Sequence, residues 1–595
     1  MPASAYEGKV QRAVRESVER ESQRLQKAFP DVELFRAGAV FYADKARRQA
    51  ESEVHLIGAV SALGIGVIML LAFRSAKLVA LGYLSTAIGV LCALAVRLAV
   101  FGELHLLTLI FGASLIGEAV DYSIQLFVAH LAMGSKWETR RGLSRVRAGL
   151  TVALGTSLFG YAILAAMLFP ALAQIAIFAI VGLGSAYASV LWLLPELLRQ
   201  PARRAPKRLF ESATFVLDRW RAALAGRRGA IVAATVVVVS VPGWLRLASD
   251  DDIHLLVKRD ASLTAQERVI REAIGFEGGS QFFLVRGEDQ ETVLTRTEAL
   301  VARLDKLVEQ GDLRSVQALT RFVPSAQTQA RDRKLLDARL FSDDKAVFNA
   351  LVASHFRDDV ARAYIAAHLE PHVPLRIETW LRLPMAEPYR QLWMGRLPEG
   401  GYAAIAFPIG AGERVLPALS AAVKGLPGVA FVDKAASVSS VFGKYRRSAG
   451  LWLVAALGVM LVSLAWRYGM KPACALAAPV TLSIGATLAL FGYVGIPLNL
   501  FHWLALMLVL CVGSNYAVFL REGMVSDDGS RTWPGAIWAG VLLSALLSFG
   551  SLSLTSMPAL QSFGMTLSVG IALSALLSPI GFETPVSGAL AQEGC

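Results

Sequence analysis

Glu118 and Asp121 stand three residues apart, on one face of any helix they share, with Gln125 one further turn along. They fall in the middle of an apolar stretch, 104–129, long enough to cross a bilayer. A carboxylate at the centre of such a span costs about 2.5 to 3.5 kcal/mol on insertion scales, so each needs a reason to be there. Burial favours the neutral form of a carboxyl group, which can bring its titration near ambient pH and let Asp121 load and release protons. One proton crossing the membrane yields about 2.3 kcal/mol per 100 mV, enough to bias two conformations a few kcal/mol apart. The competing structural reading is a pair of hydrogen-bonded packing groups, or one neutral acid that pins helix register.

Other chemistries are poorly served. Gly-Phe-Glu-Gly-Gly at 275–279 and Gly-Ala-Gly at 410–412 lack a following Lys-Ser/Thr, so no phosphate loop and no ATP hydrolysis are expected. His368 and His372 stand four apart, but Pro371 interrupts the helix that would align them and no third ligand is evident. They read as surface histidines. With no nucleophile elbow, no HExxH and no paired acids outside the apolar stretches, no enzyme activity, cofactor or metal is expected. His502 lies 13 residues before Asn515, about 20 Å along a helix, too far to act at the depth of Asp121. It reads as a polar group near the outer interface, as do His105 and Arg97, whose stem can snorkel and whose charge Glu103 can pair.

The elements that must position these groups are membrane helices. Of 595 residues, 55% are apolar and 18% charged, with mean hydropathy +0.50, which excludes a soluble or disordered chain. The net charge of +12 sits in short loops between apolar runs, which argues for membrane topology and against nucleic acid. Cys92, Cys474 and Cys511 lie inside apolar runs and Cys595 is the last residue, so no disulfide framework is expected.

Eleven spans are expected, at 54–73, 78–100, 104–129, 149–169, 171–195, 229–246, 450–466, 472–494, 498–520, 535–555 and 559–581. Nine Lys and Arg between residues 198 and 228 make that loop cytoplasmic, and the basic loop at 131–148 agrees. Residues 247–448 then lie outside. The expected domains are 1–53, the end of a first outer domain; 54–197, five spans; 198–228, a cytoplasmic linker; 229–246, one span; 247–448, an outer domain; 449–581, five spans; and 582–595, a cytoplasmic tail. Phe210, Val216, Trp220 and Leu224 among basic residues predict an interfacial helix over 207–224.

The two halves repeat. Phe-Arg-Ser at 73–75 answers Trp-Arg-Tyr at 466–468, Gly-Glu-Leu-His-Leu at 102–106 answers Gly-Ile-Pro-Leu-Asn-Leu at 495–500, Asp121-Tyr122 answers Asn515-Tyr516, and Pro170 answers Pro558. The offsets, 393, 394 and 388, are nearly constant. Only the first copy carries acids at this depth, so any proton path is asymmetric. The first copy also lacks a leading span and most of an outer domain, and residues 1–53 carry ten Lys and Arg against nine Asp and Glu with no apolar signal segment. The expectation is a shortened form of a twelve-span protein.

In 247–448, Gln281–Val285, Tyr402–Pro408 and Val429–Asp433 read as strands, and Glu291–Gln310 and Glu413–Lys424 as helices, a twofold β-α-β rhythm that fits a ferredoxin-like split βαβ domain. The charged stretch 328–370 reads as a helical insertion.

The segments Gly-Glu-Ala-Val-Asp-Tyr-Ser-Ile-Gln-Leu-Phe at 117–127 and Val-Gly-Ser-Asn-Tyr-Ala-Val-Phe-Leu-Arg-Glu at 512–522 resemble the paired motifs of the resistance-nodulation-division superfamily, in its MMPL branch of lipid exporters. The resemblance extends over the whole chain, including the segment 37–46 that runs into a span, and looks closest to predicted inner-membrane exporters encoded beside aryl-polyene and xanthomonadin pigment genes. It implies a polytopic helical protein of tandem repeats with ferredoxin-like periplasmic porter domains. It also implies proton-motive-force-driven export of a lipid or lipid-linked amphiphile from the bacterial inner membrane. Protons, an amphiphilic substrate and membrane lipids are then the partners, and a homo-oligomer or a periplasmic carrier protein is open. In the family pattern the acid of one half meets the tyrosine of the other, so Asp121 should face Tyr516 and Tyr122 should face Asn515. Asn515 departs from that pattern because an amide cannot titrate. Either one acid suffices with Glu118 assisting, or the pump is impaired. The alternative is a non-transporting membrane receptor, scaffold or accessory motor of the same fold.

Overall fold

The computed structural model describes residues 7–102, 106–166, 170–202, 206–251, 260–274, 281–370, 373–524 and 533–580. They form two compact units, one of residues 265–438 and one of the remainder.

The larger unit is helical: α1 (Gly8–Ala28), α2 (Ala39–Phe73), α3 (Ala76–Phe101), α4 (Leu106–Met133), α5 (Thr139–Ala166), α6 (Pro170–Trp192), α7 (Leu194–Leu197), α8 (Lys207–Leu224) and α9 (Arg227–Trp244). The chain continues through α10 (Ala261–Ile274) into the smaller unit, described below. Nine helices among the described residues are long and apolar enough to cross a membrane, and α8 with α9, bent by 79°, makes a tenth if counted as one span. This is a multi-pass membrane protein. Of the eleven expected spans, 104–129 falls on α4, which is not among the nine, with residues 104 and 105 outside the described residues, and 229–246 falls on α9, the second limb of the bent pair. The predicted interfacial helix is α8, with Phe210, Leu217 and Leu224 buried but Val216 and Trp220 exposed. Phe210 packs edge-on against Phe73, and the Trp220 indole donates to the carbonyl of Leu576.

The smaller unit has strands β1 (Gln281–Gly287), β2 (Ser315–Gln317), β3 (Trp393–Arg396), β4 (Tyr402–Ile409) and β5 (Val429–Asp433). The sheet runs β2-β4-β1-β5, with every pairing antiparallel, and β3 also pairs with β4. Taken with α11 (Gln290–Glu309) after β1 and α16 (Leu416–Ala422) after β4, this is the expected split βαβ order. The fourth strand position is shared: β2 lies along Phe407–Ile409 and β3 along Tyr402–Ala404 of the same edge. Alternation in β1 buries Phe283 and Val285 against Val293, Leu300 and Leu304 of α11. Asp289 caps α11 by accepting from the Thr292 backbone N–H at 2.7 Å, which holds its carboxyl below the usual carboxylate range. The insertion is helical as predicted: α12 (Ala326–Arg339), α13 (Asp344–Ala353), α14 (Asp358–Leu369) and α15 (Ile377–Leu381), with a second core around Leu319, Trp380 and Leu392.

The final helices are α17 (Lys434–Tyr468), α18 (Met470–Val494), α19 (Leu500–Met524), α20 (Pro534–Ser553) and α21 (Pro558–Leu577). The smaller compact unit is narrower than the expected 247–448. Residues 439–448 are part of the long helix α17, while Asp251 is ion-paired to Arg446 at 2.7 Å and Ser249 bridges to Leu498, which ties both margins to the helical unit. Residues 1–53 likewise belong to that unit, α1 being held on α2 by Arg15–Asp44 at 3.2 Å.

The repeat shows in the helices. Both α2 and α17 have 35 residues. Gly102 (φ 71°) and Gly495 (φ 77°) end α3 and α18 in the left-handed region that glycine adopts without cost, which explains that sequence match as a shared C-cap. In each copy the second and fifth helices pack together (α3 on α6, α18 on α21), and the copies interlock through α4 on α20 and α5 on α19. Every residue from Gly117 to Val128 in α4, and from Leu504 to Val518 in α19, is buried. Those two stretches form the centre of the bundle.

Candidate functional site

The site is built where the copies interlock. On α4, Glu118 accepts hydrogen bonds from Ser157 Oγ at 2.6 Å and the Tyr161 hydroxyl at 3.2 Å, both on α5 of the same copy. Asp121, one turn on, accepts instead from Ser544 Oγ on α20 of the other copy. On α19, Asn515 Oδ1 accepts from Thr156 Oγ1 on α5 at 2.8 Å. The last two contacts are one contact made twice. Thr156 and Ser544 are 388 residues apart, the same offset as Pro170 and Pro558, so each copy's central helix presents its 121/515 side chain to a hydroxyl on the other copy's next helix.

The two crossings differ in chemistry. Ser544 Oγ lies 3.0 Å from the Val541 carbonyl, and Thr156 Oγ1 lies 2.8 Å from that of Ala153. Ser544 therefore has two acceptors for its one proton, and Thr156, which also lies 3.1 Å from the Val152 carbonyl, has three. At the Asp121 crossing the choice depends on charge: an ionised carboxylate draws the Ser544 proton, whereas a neutral carboxyl donates to Ser544, which then donates to Val541. The Asn515 oxygen can only accept, so its crossing has no such choice. Applying the same offsets to Glu118, Ser157 and Tyr161 gives Val512, Ala545 and Phe549, so the whole polar cluster of the first copy is apolar in the second.

All five predicted site residues, Glu118, Asp121, Tyr122, Asn515 and Tyr516, are buried on these central stretches. Their hydrogen bonds run to other groups than to one another. The Tyr516 hydroxyl donates to the Val541 carbonyl at 3.3 Å, the acceptor it shares with Ser544, so Tyr516 lies one residue removed from Asp121 rather than bonded to it. Among the described residues the Tyr122 hydroxyl, which lies beside Ser157, makes no hydrogen bond of normal geometry, and its ring meets Tyr187 edge-on at 6.1 Å. The reason is competition: serine and threonine on the facing helices reach the acid and the amide with shorter side chains. Ser544, Thr156, Ser157 and Tyr161 were not picked out from the sequence, since isolated hydroxyls in apolar runs are common; the repeat offset was the signal that could have found Thr156 and Ser544.

Arg97 is a correction. It is 1% exposed, not snorkelled to a surface, and donates to Gln174 Oε1 on α6 at 2.7 Å with its guanidinium 4.5 Å from the Phe101 ring. Gln174 supplies a half-buried acceptor that makes the inward position tolerable, while among the described residues Nε and Nη1 meet no hydrogen-bond partner. Glu103 and His105 lie outside the described residues. Replacing a buried charged group and its partner by apolar residues of similar volume is often neutral or stabilising. Arg97→Met with Gln174→Leu should therefore unfold thermally at or above the wild-type temperature in detergent, and a marked drop would show that the pair stabilises.

His502, the third residue of α19, is buried within the protein and closes on Asn499, with Nδ1 2.9 Å from the amide oxygen. His368 bonds Asp337 through Nε2 at 2.7 Å and stacks on Phe341. His372, Pro371, residues 275–279 and Cys595 lie outside the described residues. Among the described residues, no cluster of three or more His, Cys, Asp or Glu side chains is placed to hold a metal.

No family model matches the chain, and no curated protein matches it. Among solved structures it is similar to SecDF, a translocon-associated membrane protein from a Thermus species, at 12% identity and a TM-score of 0.48. The alignment covers 91% of this chain and 62% of that one, so the chain spans less than two thirds of that protein's length.

Proposed function

We propose that the chain is a proton-driven exporter of the resistance-nodulation-division type, MMPL-like, lying in a bacterial inner membrane with its α/β domain in the periplasm. Its cargo on this reading is a lipid or lipid-linked amphiphile, of the aryl-polyene or xanthomonadin class that the sequence resemblance suggests. The observation that carries the reading is the Asp121–Ser544 crossing: a titratable group, buried in the membrane, bonded between the two repeats whose relative motion would do the work. Protonation there changes which acceptor Ser544 serves, and so changes a bond between copies. Glu118 sits one turn away on its own hydroxyl pair and can relay protons to or from Asp121. The asymmetry of the two crossings implies one proton-handling acid route per chain.

The test is lipid extraction from inner and outer membranes of a deletion strain with and without this chain, repeated with an uncoupler. Export that returns with the chain and stops when the proton gradient collapses supports the reading. A lipid distribution that ignores both chain and uncoupler overturns it and favours a scaffold or accessory motor.

A further inference from the structure

A cavity of about 390 Å³ opens between α5, α17 and α19, within the range of roughly 300 to 1,000 Å³ typical of ligand sites. Its walls are apolar, with Phe159, Leu464 and Leu510 among them, and Thr156, the residue that holds Asn515, lines it beside Cys511. At its other end stand Trp466, Arg467 and Tyr468, where α17 stops. Trp466 is 93% exposed, a placement typical of the aromatic belt at a membrane–water interface.

The charge at this mouth is unusual. The guanidinium of Arg467 lies 5.4 Å from the centroid of the Tyr468 ring and that of Arg521 lies 4.9 Å from the same centroid. Two cations on one ring repel each other, and near hydrocarbon that repulsion is weakly screened. Among the described residues no carboxylate is ion-paired with either arginine, the side chains of Glu522, Asp527 and Asp528 lying outside them. An anionic group between them would relieve the repulsion with charge-assisted hydrogen bonds. The tail attached to that group would have an apolar slot of the right depth below it.

We propose that this cavity binds an anionic phospholipid from the surrounding bilayer, its phosphate between Arg467 and Arg521 and one acyl chain lying along Phe159, Leu464 and Leu510 down to Thr156. The site is separate from the proton route and stands whether or not Asp121 titrates. Gly155 offers a way to close it: the residue lines the cavity, and a Cβ there would meet nothing within 4 Å, so a large side chain fills the slot without displacing protein.

The experiment uses the full chain in nanodiscs of phosphatidylcholine mixed with phosphatidylglycerol, with retained lipid read by native mass spectrometry and proximity by quenching of Trp466 with brominated chains of each lipid. Wild type should retain phosphatidylglycerol over phosphatidylcholine by about tenfold, as expected for a charge-assisted contact. Arg467→Gln with Arg521→Gln should bring that ratio near one. Gly155→Phe should lower retention of both lipids and remove the quenching difference that Trp466→Phe identifies as local, while Gly155→Ala should behave as wild type. Equal retention of both lipids by wild type overturns the proposal, as does a Gly155→Phe protein that holds phosphatidylglycerol undiminished. Displacement of the lipid by inorganic phosphate would overturn it in favour of a free-anion site.

Discussion

Under the proposed function, Asp121→Asn should abolish proton-coupled export, down to the level of the deletion strain, while leaving the protein in the membrane with an unchanged thermal unfolding temperature. The protein carries its own control for the second half of that expectation. At the equivalent position of the other copy, Asn515 already accepts a hydroxyl bond at 2.8 Å from Thr156, so an amide at 121 can accept from Ser544 in the same way. The substitution makes the two crossings alike and removes only the proton. Asn has the shape of Asp but cannot titrate. Lipid distribution in the complemented strain, with immunodetection of the variant in inner membranes, reads both halves. Full export by Asp121→Asn would remove Asp121 from the mechanism and leave the hydrogen-bonded packing role that the sequence also allows.

Gly492→Val should destabilise the bundle by about 3 kcal/mol or more, the upper end of overpacking costs. A Cβ on Gly492 would run into the backbone carbonyl of Gly243, and one on Gly243 would meet the backbone of Ala489. Here α9 and α18 touch main chain to main chain, the close approach that small residues permit between membrane helices. Because the obstacle is backbone, no side-chain rotation relieves it, and α9 must move bodily. Gly458→Val on α17, where a Cβ meets nothing within 4 Å, is the matched comparison and should cost far less. Thermal unfolding in detergent and yield in membranes measure the difference; equal losses for the two variants would show that the α9–α18 contact is not tight.

Much of this organisation was legible before any coordinates. Hydropathy placed the helices because crossing hydrocarbon is a property of each segment alone. The alternation and turn signals around 281–433 gave a split βαβ domain whose strand order the sheet reproduces, since period-two burial is also local. Gly102 and Gly495 were visible as repeated residues, and the structure adds that they are helix caps. Arg97 went the other way: its stem was expected to reach a surface, and it is buried because Gln174, distant in sequence, provides an acceptor.

The chain alone determined that Glu118 and Asp121 lie in an apolar stretch long enough to span a bilayer, that the second copy has Asn515 where the first has an acid, and that the copies are related by nearly constant offsets. Only the tertiary structure decided which groups those side chains meet. Membrane helices associate through packing and hydrogen bonds between faces, not through a hydrophobic drive that sequence periodicity would reveal. A rotation of one helix about its axis therefore chooses between Tyr516 and Ser544 as the partner of Asp121 without changing any segment's hydropathy, and the packing of α4 against α20 fixed that rotation.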